Sequence, residues 1–124
     1  MPKRPRVLIA EDHPGVAKAI CRMLSLECDV VGNIADGSAV LEAAQRLQPD
    51  VIVLDVNLPN ISTLDACRKI TRMNPETKVI MFTAAVDPNA GPAFIEAGAS
   101  AFVSKLASVD LLSTIKRLCA DVAP

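Results

Sequence analysis

The chain contains no tryptophan and no tyrosine, and its only aromatic residues are Phe82, Phe94 and Phe102. A base-stacking face or an aromatic ligand cage has no material to be built from. Long hydrophobic runs are missing too. The longest stretch without a charged residue is nine, Val56 to Leu64, against the roughly 20 that a membrane span requires. Lys3, Arg4 and Arg6 lie near the start, but the apolar run Val7 to Ala10 is too short for a signal peptide. No charge sign dominates: 13 basic side chains face 14 acidic ones, for a net charge of −1. Without a clustered positive field, direct nucleic-acid contact is not expected. Cys21, Cys28, Cys67 and Cys119 show no C-x-x-C spacing and sit in apolar surroundings. They are expected to be reduced core thiols of a cytoplasmic protein, not a zinc site or a disulfide framework.

What is present is a core. Apolar residues make up 51% of 124 residues, the size of one ordinary domain spanning 1–124. Short apolar runs alternate with periodic segments. Arg6 to Ala10, Asp29 to Ile34, Val51 to Leu54, Val79 to Phe82 and Ala101 to Val103 are the expected strands. Val51-Ile-Val-Leu54 is apolar on both faces, as a central parallel strand should be. Between them, Val16, Ala19, Ile20, Met23 and Leu24 recur with helical spacing after Pro14. Asp36-Gly37 marks a turn, and Leu41, Ala44 and Leu47 a second helix ending before Pro49. Ser62-x-x-Asp65 resembles a capping box opening a third helix through Leu64, Cys67 and Ile70, which stops at Asn74-Pro75. A short helix around Ala93 to Ala97 is closed by Gly98, with the turn formers Asp87 to Asn89 ahead of it. Leu111, Leu112, Ile115, Leu118 and Cys119 form the last helix.

Five βα units in series imply an α/β three-layer sandwich, a flavodoxin-like (βα)5 fold with five parallel strands in the order 2-1-3-4-5. In such sheets ligands bind beyond the carboxyl ends of the strands. Glu11 and Asp12 follow the first strand, Asp55 ends the third, Thr83 ends the fourth, and Ser104 and Lys105 follow the fifth. The second strand sends only Asp36 to this edge, set aside here as a turn residue. Any one of these residues has an ordinary structural reading, a turn carboxylate or a solvated lysine. Three carboxylates packed together are costly without a cation, and Mg²⁺, a hard ion with oxygen ligands, relieves that cost. Lys105 supplies the second cation that a phosphoryl group would need.

Read in order, Val7-Leu-Ile-Ala-Glu-Asp-His13, Pro49-Asp-Val-Ile-Val-Leu-Asp55 with Leu58-Pro59, Met81-Phe-Thr-Ala84, and Glu96-Ala-Gly-Ala99 with Ala101-Phe-Val-Ser-Lys105 carry a resemblance. The chain resembles, over nearly its whole length, the receiver domain of bacterial two-component response regulators. The resemblance implies that Asp55 is a phospho-acceptor, loaded by a sensor histidine kinase or phosphotransfer protein. It implies Mg²⁺ held by Asp12, Asp55 and the backbone carbonyl of Asn57, with Glu11 acting largely through water. Lys105, Thr83 and the Ala84 N–H would contact phosphoryl oxygens, and Phe102 would be the aromatic that packs inward after Thr83 moves. A DNA-binding or other output domain beyond residue 124 and a homodimer on phosphorylation fit the same family. The resemblance further implies that Asn57 and Ala85 occupy the positions that influence the hydrolytic water. His13 is read as a loop residue.

Three positions depart from the family pattern. Leu106 stands where a cis-proline is common, and a non-prolyl cis bond costs about 3 kcal/mol, which leaves the isomer open. Asn60 and Thr63 stand where glycines are common. Three other readings compete. A haloacid-dehalogenase-like phosphatase needs a second Asp two residues after the nucleophile, where this chain has Asn57. A flavin module needs a hydroxyl- and glycine-rich loop where Glu11-Asp12 stands. A degenerate, phosphorylation-independent interaction module would have lost site residues that are all present here.

Overall fold

The structure, a computed structural model, describes residues 4–84 and 91–120. The apolar runs form β1 (Arg6–Ala10), β2 (Asp29–Ile34), β3 (Val51–Asp55), β4 (Lys78–Thr83) and β5 (Ala101–Ser104). They pair in parallel in the order β2-β1-β3-β4-β5, as the alternation of segments predicts. The helices are α1 (Pro14–Leu24), α2 (Val40–Leu47), α3 (Thr63–Met73), α4 (Gly91–Glu96) and α5 (Val109–Ala120).

Strand periodicity sorts the core into two layers. Leu8, Ala10, Ile52, Leu54, Val79 and Met81 pack with α2, α3 and α4 on one face. Their neighbours Val7, Ile9, Val51, Val53, Ile80 and Phe82 pack with α1 and α5 on the other. Successive side chains of a strand point to opposite faces, so a strand covered on both sides must be apolar throughout. All five residues of β3 are buried. Its Val53 pairs in register with Ile9 of β1 and Ile80 of β4, which puts β3 at the sheet's centre.

Several expectations shift by a residue. β3, β4 and β5 each run one residue further than the apolar run, to Asp55, Thr83 and Ser104, because ladder hydrogen bonds do not stop at the last apolar side chain. In α1 the buried residues are Ala17, Ile20 and Leu24; Ala19, counted above in the apolar stripe, is exposed. In α2 they are Val40, Ala43 and Ala44, while Leu41 and Leu47 are half-buried at the flanks. The fourth helix starts earlier than the apolar pattern suggests and ends at Glu96. Gly98 then turns the chain with φ +112°, a region where a Cβ would be strained and would meet the Thr71 side chain at 2.6 Å. The turn formers Asp87 to Asn89, together with Ala85, lie outside the described residues.

Side-chain caps set the starts of α1 and α3. Ser62 Oγ accepts from the Asp65 N–H at 3.2 Å, as the Ser62-x-x-Asp65 pattern predicts. His13 is not a bare loop residue: its Nδ1 accepts from the Val16 N–H at 3.2 Å and caps α1. The Asp36-Gly37 turn becomes a 3-10 turn over Gly37–Ala39, capped by Asp36. Asn60 adopts φ 66°, the left-handed conformation that Asn tolerates better than other non-glycine residues. Thr63, the other departure, is simply the first residue of α3. No cis peptide bond occurs among the described residues, so the Lys105–Leu106 bond is trans. All four cysteines are free, with Cys28 and Cys67 buried and Cys21 and Cys119 half-buried. Burial pushes the Cys67 thiol up to about 11.

Candidate functional site

The strand order sends β1, β3, β4 and β5 to one edge, and their first residues past the core converge there. Glu11, directly after β1, is 1% exposed, and its N–H donates to the Ile34 carbonyl of β2 at 3.0 Å. Asp12 follows and is exposed. Asp55, the last residue of β3, is 3% exposed. Its Oδ1 accepts from the Asn57 N–H at 3.0 Å. Its Oδ2 lies 3.3 Å from Lys105 Nζ. The same ammonium stands 2.6 Å from Glu11 Oε1, and Glu11 Oε2 accepts from the His13 N–H at 3.0 Å.

Each oxygen of the two buried carboxylates thus faces a backbone N–H or the ammonium. Lys105 opens a 3-10 turn, Lys105–Ala107, capped by Ser104, whose Oγ accepts from the Leu106 N–H at 3.1 Å. This cap fixes where the lysine stem leaves β5. The ammonium also lies 5.6 Å from the centre of the Phe82 ring, within cation–π range. Phe82 belongs to the core of β4, and no sequence signal marked it as a site neighbour. Thr83, one residue on, is buried at the end of β4 and pairs in register with Ser104. Ala84 is exposed beside it. Phe102 is half-buried, with its ring edge-on to Phe94 of α4 at 5.6 Å and 73°.

Electrostatics follows from this packing. Burial pushes the Glu11 carboxyl above its usual range, and the Asp55 charge adds to the rise against the bonds from Lys105 and His13. For Lys105, burial pulls the ammonium down, but the hydrogen bond to Glu11 and the Asp55 and Glu11 charges outweigh it and hold it above 10.5. Lys105 is therefore a fixed cation across the physiological range.

Glu11, Asp12 and Asp55 each offer a carboxylate oxygen, and these oxygens lie within 4.8 Å of one another. Hard oxygen donors, two buried and one open to solvent, suit a divalent cation such as Mg²⁺. The donor set fits. Beside it, a cavity of about 320 Å³ lies between α1 and the start of α5, lined by Val16, Ile20, Met23, Phe82 and Lys105 among others.

Sequence reasoning set Asp36 aside, yet the structure ties it to the site's edge. Asp36 Oδ1 accepts from the Ser38 N–H and Ser38 Oγ at 2.9 Å each, and from Asn60 Nδ2 at 3.2 Å. The Asp-Gly-Ser spacing is an Asx-turn signal that could have pointed to the first bond; nothing local could have pointed to Asn60.

A five-stranded 2-1-3-4-5 sheet with buried acids, a hydroxyl and a lysine at the carboxyl edge defines a class of phosphorylation-switched signalling modules. The chain belongs to the response regulator receiver domain family, whose pattern matches residues 7–116. It is 36% identical over 107 residues to the response regulator GacA of Pseudomonas aeruginosa, covering 85% of this chain and 50% of that protein. The chain spans about half the length of the curated relatives it matches. Among solved structures it is similar to the receiver domain of the response regulator NarL from Mycobacterium tuberculosis. That match has a TM-score of 0.89 at 28% identity, covering 97% of this chain and 98% of that one. It is also similar to the BeF3-activated receiver domain of DrrB, from Thermotoga maritima, with a TM-score of 0.85 at 28% identity. There the coverage is 95% of this chain and 99% of the other. Among the described residues no helix is long and apolar enough to cross a membrane.

Proposed function

We propose that Asp55 is the phospho-acceptor of this receiver domain. The observation that carries the reading is the setting of its carboxylate, buried at the end of β3 between the Asn57 N–H and the Lys105 ammonium. One Asp55 oxygen attacks the phosphorus of a phosphohistidine on a sensor kinase or phosphotransfer protein. The O–P bond forms as the P–N bond breaks, and the departing imidazole takes up a proton. The product is an aspartyl phosphate. Glu11, Asp12, Asp55 and the Asn57 carbonyl would hold Mg²⁺, which when bound would neutralise charge on the phosphoryl oxygens.

The chain's own residues do the rest. Lys105 keeps the acceptor and Glu11 charge-compensated before transfer and meets the added negative charge after it. Thr83 Oγ1 and the Ala84 N–H bond the phosphoryl oxygens, which draws Thr83 and Ala84 toward Asp55. Phe102, edge-on to Phe94, passes that shift to α4. The chain thereby catalyses only its own phosphorylation and dephosphorylation. Its output is a DNA-binding or other domain joined beyond residue 124, or a homodimer. The similarity to MtrA of Mycolicibacterium smegmatis, a DNA-binding response regulator, supports the first. A cytoplasmic location fits the four free cysteines, Cys21, Cys28, Cys67 and Cys119.

Incubation with Mg²⁺ and acetyl phosphate tests the reading by intact mass. Wild type should gain a single hydroxylamine-labile phosphoryl group, and Asp55→Asn none, because the amide is nearly isosteric but not nucleophilic. Equal labelling of the two proteins moves the acceptor elsewhere. Continuous phosphate release without a stable adduct would favour the phosphatase reading, and no labelling at all the degenerate module.

A further inference from the structure

The segment from Val56 to Ser62 carries Asn57 past the acceptor, and its two ends are fastened to β4 and to α3. The Val56 N–H donates to the Phe82 carbonyl at 3.0 Å, Thr63 Oγ1 donates to the Val56 carbonyl at 2.8 Å, and Ser62 caps α3. Within it the Leu58 N–H donates to the Asp55 carbonyl at 3.2 Å, and its far side is tied across a gap, to the loop between β2 and α2. There the Gly37 N–H donates to the Pro59 carbonyl at 2.9 Å, and Asn60 Nδ2 donates to Asp36 Oδ1 at 3.2 Å. Asn60 makes this bond from a backbone at φ 66°. Glycine would take that backbone conformation at lower cost, but only Asn adds the bond.

We propose that Asp36 and Asn60 are positioning residues, a clamp between the β2–α2 and β3–α3 loops that holds the Asn57 backbone against the Asp55 carboxylate. The proposal rests on the reading of Asp55 as acceptor beside Mg²⁺. Asn57 touches that carboxylate directly: its N–H donates to Oδ1, which leaves Oδ2 turned to Lys105. If the loop drifts, this bond lengthens, the carboxylate is free to rotate, and the Asn57 carbonyl moves with it. Neither clamp residue touches the acceptor. The backbone N–H of Ser38, its hydroxyl and Asn60 hold the Asp36 carboxyl below its usual range, so the clamp keeps an anionic acceptor at any pH where the domain works.

Three variants separate this from a merely structural role: Asp36→Ala, Asn60→Gly and Asp36→Asn. Mg²⁺ affinity is read by calorimetry, and exchange of the Asn57 amide by NMR in EDTA. Asp36→Ala and Asn60→Gly should each weaken Mg²⁺ binding about fivefold, the equivalent of one hydrogen bond of roughly 1 kcal/mol. Each should speed Asn57 exchange by a similar factor. The double variant should lose no more than Asp36→Ala alone, because the two changes remove one shared contact. Asp36→Asn keeps an Oδ1 acceptor and should behave nearly as wild type. Unchanged Asn57 exchange in both Asp36→Ala and Asn60→Gly overturns the clamp, whatever the metal does. A wild type that binds no Mg²⁺, with Asn57 exchange still faster in the variants, overturns the acceptor-site reading while upholding the clamp.

Discussion

Lys105 Nζ lies 2.6 Å from Glu11 Oε1, and the two side chains are 17% and 1% exposed. The lysine enters from β5 and the glutamate from β1, strands that β3 and β4 separate in the sheet. The contact therefore closes the site over the end of the central strands. Removing one partner of a buried pair costs about 3–5 kcal/mol when both are fully buried. Lys105 keeps some contact with solvent, so Lys105→Ala should cost about 2 kcal/mol in the metal-free protein. At about 2.1 cal/mol/K of unfolding entropy per residue, the whole chain gives about 0.26 kcal/mol/K and a Tm lower by about 8 °C. Melting in EDTA measures this. A variant that melts with wild type would mean that solvent already screens the pair.

Glu11 gives a pH signature of known sign. Its folded carboxyl is held above the ordinary 4.5 by burial and the Asp55 charge. Proton binding thus favours the folded state, and this stabilisation is complete below pH 4.5 and lost as pH rises through the raised folded value. Glu11→Gln has no such titration. The Tm of wild type minus that of Glu11→Gln, both in EDTA, should fall as pH climbs above 4.5. A difference that grows with pH would mean that Lys105 overcompensates burial and holds Glu11 low.

Gly37 tests how tightly the two loops meet. A Cβ there would lie 2.5 Å from the Pro59 carbonyl oxygen and closer still to an Ile61 methyl. The obstacle is partly backbone, so it cannot swing aside. Gly37→Ala should cost about 3 kcal/mol, at the upper end of overpacking effects, and about 11 °C in Tm. Normal melting of Gly37→Ala would show that the loops separate at little cost.

Much of this was legible in the chain because strand and site share one code. Apolar runs end where polar side chains begin, so Asp55 and Thr83 mark both a strand end and the edge where the candidate site lies. Ser62-x-x-Asp65 is local, and its cap appeared as read. What stayed hidden depends on partners distant in sequence. Asp36 meets Asn60 across 24 positions, and Phe82 meets Lys105 only through the fold. His13 looked like a loop residue because a capping imidazole lacks the short hydroxyl or carboxylate that usually signals an N-cap. In the stripe of α1 only one position differs, Ala17 being buried in place of Ala19, because alanine on either face carries little pattern.

The acidic cluster makes a prediction that needs no kinase. Glu11, Asp12 and Asp55 crowd their oxygens within 4.8 Å, so binding of Mg²⁺ should stabilise the fold. At a metal concentration of about ten times Kd, linkage gives RT ln 11, about 1.4 kcal/mol. That is a rise in Tm of about 5 °C for a chain of this length. Asp12→Asn separates charge from ligation. Asp12 is exposed and makes no ion pair among the described residues, so removing its charge relieves repulsion without orphaning a partner. In EDTA the variant should melt at least as high as wild type. With Mg²⁺ its shift should largely vanish, because the solvent-facing ligand is gone. Ionic strength must be matched, since screening alone also eases repulsion between exposed charges. A variant that loses stability in EDTA yet keeps the full Mg²⁺ shift would make Asp12 structural and place the metal elsewhere.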